Sequence, residues 1–182
     1  MNFNFTKNHF DGVIVIEPKV FSDERGGFFE TYKKSSFAKC GIFDDFFQDN
    51  YSFSTQGTIR GLHFQTDPKP QSKLIRCVQG EIYDWIIDLR KSSKTFGEKF
   101  GIILSEKNKL MLYVPIGFAH GFSVLSKNAE ISYKVSAEYD AKSESGIRWN
   151  DPELAIDWGV KNPILSAKDR LLPMFKDLKN FF

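Results

Sequence analysis

The sequence is poor in cysteine and histidine, has no long apolar run and carries almost no charge imbalance. Cys40 and Cys77 are the only cysteines among 182 residues. That is too few for a disulfide framework, and a reducing cytoplasm is the expected location. The longest apolar run, Leu110 to Ala119, contains Pro115 and Gly117. It falls short of the roughly 18 residues a spanning helix needs, so no membrane association is expected. The opening stretch MNFNFTKNHFDG lacks the basic segment and apolar core of a secretory leader. Lysine and arginine number 25 against 23 acids, a net charge of +2. The basic residues are spread along the chain, which argues against a nucleic-acid partner. Gly-x-Gly-x-x-Gly, Walker A and Gly-x-Ser-x-Gly patterns are missing, so hydride transfer, nucleotide hydrolysis and serine-hydrolase chemistry have no local support. Without repeats, low-complexity tracts or linkers, one domain over residues 1–182 is expected.

What the chain does have is aromatic surface: 19 Phe, 6 Tyr and 3 Trp, enough apolar area to exclude disorder as the main state. Thirteen Gly and seven Pro punctuate short runs of Val, Ile, Phe and Tyr, the pattern of many strands joined by turns. Strands are predicted over Val13–Ile16, Phe28–Tyr32, Phe46–Gln48, Arg60–Phe64, Lys73–Gln79, Glu81–Leu89, Lys99–Leu104, Leu110–Val114, Gly121–Leu125 and Ile131–Ser136. Gln79-Gly80 reads as a tight hairpin turn. Helix is predicted only over Lys34–Cys40 and Ser166–Lys176, the second opening with the capping pattern Ser166-x-x-Asp169. The expected fold is all-β, a sandwich or barrel with short helices near both ends.

Three histidines can each be weighed. His9 sits in a polar stretch and reads as a surface residue. In Arg60-Gly61-Leu62-His63-Phe64-Gln65, strand alternation places Gly61, His63 and Gln65 on one face and Arg60, Leu62 and Phe64 on the other. His120 closes Pro115-x-Gly117-x-x-His120 directly after a strand. On spacing alone, a buried structural histidine is the commoner fate of both. The Pro-x-Gly-x-x-His pattern, however, resembles the second motif of the cupin superfamily of small antiparallel barrels. Where the first cupin motif would place His-x-His and a Glu, this chain has His63-Phe64-Gln65, too few donors for a metal site. A cupin-type barrel or jelly roll without a metal is therefore expected.

Such a barrel must use its own acids and bases. His63 is the natural general base, because histidine titrates near neutrality. Tyr133 lies between Ile131 and Val135 on one strand face, a place for a buried ring whose hydroxyl needs a partner. Lys73 shares a face with Ile75 and Cys77. Either that face is the outer one, or the lysine is a paired cation in an apolar setting. Asp169 reads locally as a helix cap.

In order along the chain stand EPKVFSDERGGFFETY (17–32), QDNYS (48–52), IRGLHFQ (59–65), KLIRC (73–77), GEIYDWIIDLRKSSKTFG (80–97), VPIGFAHGF (114–122), YKVSAEY (133–139), GIRWNDP (146–152) and LSAKD (165–169). This ordered set, covering nearly the whole chain, resembles the dTDP-4-dehydrorhamnose 3,5-epimerases. Asp140 stands where the family often has Pro, and Trp158-Gly159 where it often has Trp-Pro. The resemblance implies epimerisation at C3 and C5 of dTDP-4-dehydro-6-deoxy-D-glucose, with no cofactor because the substrate ketone is the electron sink. It implies His63 as base, Asp169 as the partner of His63, Lys73 as stabiliser of the enolate oxygen and Tyr133 as acid on the opposite face. It also implies a substrate-binding set: Arg60 and His120 near the diphosphate and sugar; Arg25, Phe28 and Glu30 as nucleotide contacts delivered across a homodimer interface; Gln48, Asp49, Asn50, Glu144 and Lys168; and Tyr139 stacked on the base.

Other readings stay open on the sequence. A related enzyme could act on another nucleotide-linked 4-keto sugar, such as a GDP-linked heptose, or invert one centre only. A non-catalytic sugar-nucleotide-binding cupin would bind without solvent exchange into the sugar. A metal-dependent cupin oxygenase would hold stoichiometric metal.

Overall fold

The computed structural model describes residues 2–179 and 182. The strands in chain order are β1 (Phe3–Lys7), β2 (Ile14–Pro18), β3 (Phe21–Asp23), β4 (Gly26–Phe28), β5 (Gln48–Thr55), β6 (Ile59–Gln65) and β7 (Lys73–Gln79). They continue as β8 (Glu81–Asp88), β9 (Lys99–Ser105), β10 (Met111–Val114), β11 (Phe118–Val124), β12 (Asn128–Val135) and β13 (Glu144–Gly146). Among the described residues, helix is confined to α1 (Lys34–Ala38), α2 (Ala167–Arg170) and a 3-10 turn at Phe175–Asp177.

One sheet runs β1-β2-β10-β7-β12-β5, the other β13-β6-β11-β8-β9, and β3 and β4 form a separate hairpin. Every strand pair is antiparallel. The two sheets enclose Ile75, Ile82, Ile86, Leu112, Val114, Phe122 and Ile131. This is the all-β, antiparallel barrel expected from the sequence. Along β10, Leu112 and Val114 alternate with Met111 and Tyr113. The first pair faces the barrel interior; the second meets Phe37 of α1 and Ile42 outside. The outer face of the second sheet (Leu62, Phe64, Trp85, Ile87) is covered by the C-terminal stretch through Leu154, Trp158 and Phe175. That covering segment carries α2, and with it Asp169, back to β6.

The strands β1, β3 and β13 fall outside every predicted strand, and four further departures from the sequence expectation stand out. Gln79-Gly80 is not a hairpin turn: β7 pairs with β10 and β12, whereas β8 pairs with β11 and β9. The chain crosses between sheets there, and Gly80 takes φ +77°, with a Cβ that would stand 2.1 Å from the Asn128 carbonyl oxygen. The expected strand Phe28–Tyr32 ends at Phe28, because Tyr32 instead packs edge-on against Phe37 and Phe46 beneath α1. Where Phe46–Gln48 was expected, β5 starts at Gln48 and runs to Thr55. The predicted helix Ser166–Lys176 is interrupted: Ser166 caps α2 by accepting the Asp169 N–H at 3.0 Å, and the chain resumes a 3-10 turn only after Pro173. Proline has no N–H to donate to a helix.

The glycines of the two histidine motifs meet back to back. His120 pairs with His63 and Phe122 with Arg60, so two residues of β6, Gly61 and Leu62, oppose Gly121. A Cβ at Gly61, which has φ +116°, would lie 2.6 Å from the Gly121 Cα. The substitution Gly61→Ala must part β6 from β11. It is expected to lower stability by about 2–4 kcal/mol, the range of backbone strain combined with overpacking. A urea midpoint measurement checks this, and a loss within about 0.5 kcal/mol, as at ordinary surface sites, would contradict the close approach.

Candidate active site

The bulge at Gly61-Leu62 shapes the site. Simple alternation assigns Arg60 to the face of Leu62 and Phe64; the extra residue instead turns Arg60 and His63 toward the same cavity. Leu62 and Phe64 point into the outer cluster. The cavity has a volume of about 850 Å³, and Arg60, His63, Lys73, His120, Tyr133, Lys168 and Asp169 are among its lining residues. His63 and His120 come from one sheet, and Lys73 and Tyr133 from the other.

His63 Nε2 is 2.6 Å from Asp169 Oδ1. Asp169 is thus both the N3 residue of α2, through its backbone N–H, and the histidine's carboxylate partner. Its burial raises the carboxyl pKa, but the His63 hydrogen bond and charge, with the Ser166 and Gly61 bonds, hold it below the ordinary value. It therefore stays ionised through neutral pH. With Nε2 engaged by the carboxylate, Nδ1 is the ring nitrogen available for proton transfer.

The outer-face alternative for Lys73 fails. Its side chain points inward, is 8% exposed and donates to the His63 carbonyl oxygen at 3.3 Å. Burial lowers its pKa to about 8, against the opposing pull of Asp84 and Glu144. Tyr133 packs on the interior cluster, and its phenol is pushed above the ordinary range by burial first, with Arg60 pulling the other way and Glu144 adding to the rise. Arg60 Nε donates to Ser54 Oγ at 3.1 Å.

The rim gathers more of the expected binding set. Glu144 accepts from the Tyr139 hydroxyl at 2.6 Å and from Lys168. Gln48 accepts the Tyr139 N–H at 2.8 Å and donates to Asn50 at 2.7 Å. Asp49 instead pairs with Lys134 at 2.8 Å and, with Asn50, borders a groove next to Arg76 and Thr31, outside the cavity. Arg25 pairs with Asp23 at 2.6 Å on the exposed hairpin, Phe28 is 68% exposed, and Glu30 lies 3.8 Å from Lys33. None of these three lines the cavity of its own chain.

The sequence reading missed Ser52, Ser54, Gln79, Asn128 and Glu130 in the cavity wall, and Asp84 behind His120. A signal for Asp84 was available: it is a lone carboxylate in the apolar strand Ile82-Tyr83-Asp84-Trp85-Ile86. Among the described residues no group of three or more His, Cys, Asp or Glu is placed to hold a metal ion, and no helix is long and apolar enough to cross a membrane.

Fold and site together define a cupin-type barrel whose cavity carries acid–base groups on both walls. The sequence profile of the dTDP-4-dehydrorhamnose 3,5-epimerases matches residues 7–177, and the chain belongs to that family. The dTDP-4-dehydrorhamnose 3,5-epimerase of Shigella flexneri is 49% identical over 167 residues, which is 91% of this chain and 92% of that protein. The crystal structure of the Bacillus anthracis dTDP-4-dehydrorhamnose 3,5-epimerase with TDP and PPi bound superposes with a TM-score of 0.93. It is 49% identical and covers 95% of this chain and 99% of its own. The Legionella pneumophila dTDP-6-deoxy-D-glucose-3,5-epimerase in complex with dTDP-4-keto-L-rhamnose also gives 0.93, at 41% identity, covering 97% and 95% of the two chains.

Proposed function

We propose that the chain epimerises dTDP-4-dehydro-6-deoxy-D-glucose at C3 and C5 to dTDP-4-dehydro-L-rhamnose, as an isomerase of nucleotide-sugar biosynthesis. The observation that carries this reading is the placement of His63 and Tyr133 on opposite sheets across one cavity. A base on one wall and an acid on the other is what inversion of a carbon requires: a proton leaves one face and another arrives at the opposite face.

The ketone at C4 acidifies the hydrogens at C3 and C5. His63 Nδ1 takes the proton, and Asp169 orients the ring and stabilises the imidazolium that forms. Lys73 is the cation for the developing enolate oxygen. Tyr133 delivers a proton from the other side and recovers it from solvent. The same pair serves both carbons once the sugar turns in the site. Arg60 and His120 hold the diphosphate and sugar; an arginine fork suits phosphate oxygens. Gln48, Tyr139, Glu144 and Lys168 form the rim toward the nucleotide, with Tyr139 as the stacking ring.

Arg25, Phe28 and Glu30 serve a second copy's site in this reading. The hairpin of β3 and β4 leaves Phe21 and Phe28 43% and 68% exposed, an apolar arm that a homodimer would cover. The substrate test is direct: the purified protein is given dTDP-4-dehydro-6-deoxy-D-glucose and, separately, a GDP-linked 4-keto sugar, and products are read by NMR. Conversion of the first alone supports the reading; conversion of the GDP-linked sugar alone overturns the nucleotide assignment.

Lys73 sets a pH limit. It works as an ammonium ion, and its folded-state pKa is about 8. The free-enzyme profile of kcat/KM is therefore expected to fall above about pH 8, approaching tenfold per pH unit. Lys73→Met is expected to lose about 10²–10³ in kcat, together with that limb. A wild-type profile flat to pH 10 would remove Lys73 from the enolate role.

A further inference from the structure

The cavity holds two histidine–carboxylate pairs side by side. His120 is the cross-strand partner of His63, and its Nε2 lies 2.8 Å from Asp84 Oδ2. The pairs differ in access. The His63 side chain is 31% exposed, whereas those of His120 and Asp84 are 9% and 0% exposed. The open pair can exchange protons with solvent; the sealed pair is built to stay in one arrangement.

Asp84 stands on the inward face of β8 between Ile82 and Ile86, both core residues. A carboxylate there is costly unless its charge is answered. His120 answers one oxygen; Oδ1 has no hydrogen-bond partner among the described residues. Lys73, at 8% exposure, lines the same cavity as His120, and Asp84 and Glu144 are the carboxylates that oppose the lowering of its pKa by burial.

We propose that Asp84 is a positioning residue for the epimerisation, holding His120 in one tautomer through Nε2. With its Nε2–H given to Asp84, His120 offers Nδ1 to a substrate oxygen. Asp84 touches no reacting atom; it acts through His120. This inference rests on the epimerase reading of His120.

The test is Asp84→Asn, which keeps the shape and removes the carboxylate acceptor. KM is expected to rise about tenfold with kcat little changed, because His120 holds the substrate while His63 moves the proton. Asp84→Glu should restore KM in part. In the free enzyme, ¹⁵N NMR of labelled histidine should show His120 losing its single tautomer. An Asn variant that melts earlier, yet keeps the wild-type KM and the His120 resonances, would make Asp84 a core group only. Should Asp84→Asn fail to fold, the same ¹⁵N spectrum of the wild type decides: His120 must carry its proton on Nε2, and a proton on Nδ1 alone overturns the proposal. The NMR readout needs no substrate, so a wrong substrate assignment and a wrong role for Asp84 give different results.

Discussion

His63→Asn is expected to lower kcat by about 10²–10⁴, the usual worth of a positioned general base, and to stop solvent deuterium from entering the sugar at either carbon. Asn retains a polar contact to Asp169, so the loss reports the missing proton acceptor and not a collapsed site. The arrangement behind this is specific. Asp169 is buried at 4% exposure and held ionised, and its bond to Nε2 leaves Nδ1 toward the cavity. KM should change little, since His63 contributes chemistry more than grip. Steady-state kinetics with an exchange assay in deuterated water check both parts. A His63→Asn enzyme that exchanges at the wild-type rate would require another base.

Tyr133→Phe is expected to separate proton removal from inversion. His63 still takes the proton and Lys73 still stabilises the enolate, but the opposite face has no donor. The protonated His63, exchanged with solvent, then returns a deuteron to the face from which the proton left. The sugar should gain deuterium with its configuration retained, while inversion falls by about 10²–10⁴. The partly buried phenol, with its pKa pushed up by desolvation, is suited to hold its proton until the enolate forms. Loss of exchange and inversion in equal measure would give Tyr133 the role of base or of pure packing.

Much of this site was legible because its residues lie in short, ordered motifs. His63, Lys73, Tyr133 and Asp169 were all marked by what is unusual about them: a titratable or charged group on an apolar strand, or a family motif in its place. What stayed hidden depended on register and topology. Alternation misplaced Arg60, since the two-for-one pairing of Gly61 and Leu62 against Gly121 is a property of two strands, not one. Most of β5 was missed because its inward face carries Asn50, Ser52 and Ser54 in place of apolar residues; Ser52 and Ser54 turn to the cavity instead of the core. Gln79-Gly80 looked like a hairpin because a glycine with positive φ serves a hairpin and a crossing between sheets equally well. The capping pattern at Ser166 was read correctly, yet it gave no hint that Asp169 also reaches His63, 106 residues away in sequence.

The most direct measurement is incubation of the wild-type protein with dTDP-4-dehydro-6-deoxy-D-glucose in deuterated water, with the sugar read by mass and NMR. Opposed proton donors and acceptors across one cavity predict two deuterons, at C3 and C5, and conversion to the L-configured product. One deuteron would mean that the site works on a single carbon, and a bound sugar with no exchange would contradict proton-transfer catalysis in this barrel.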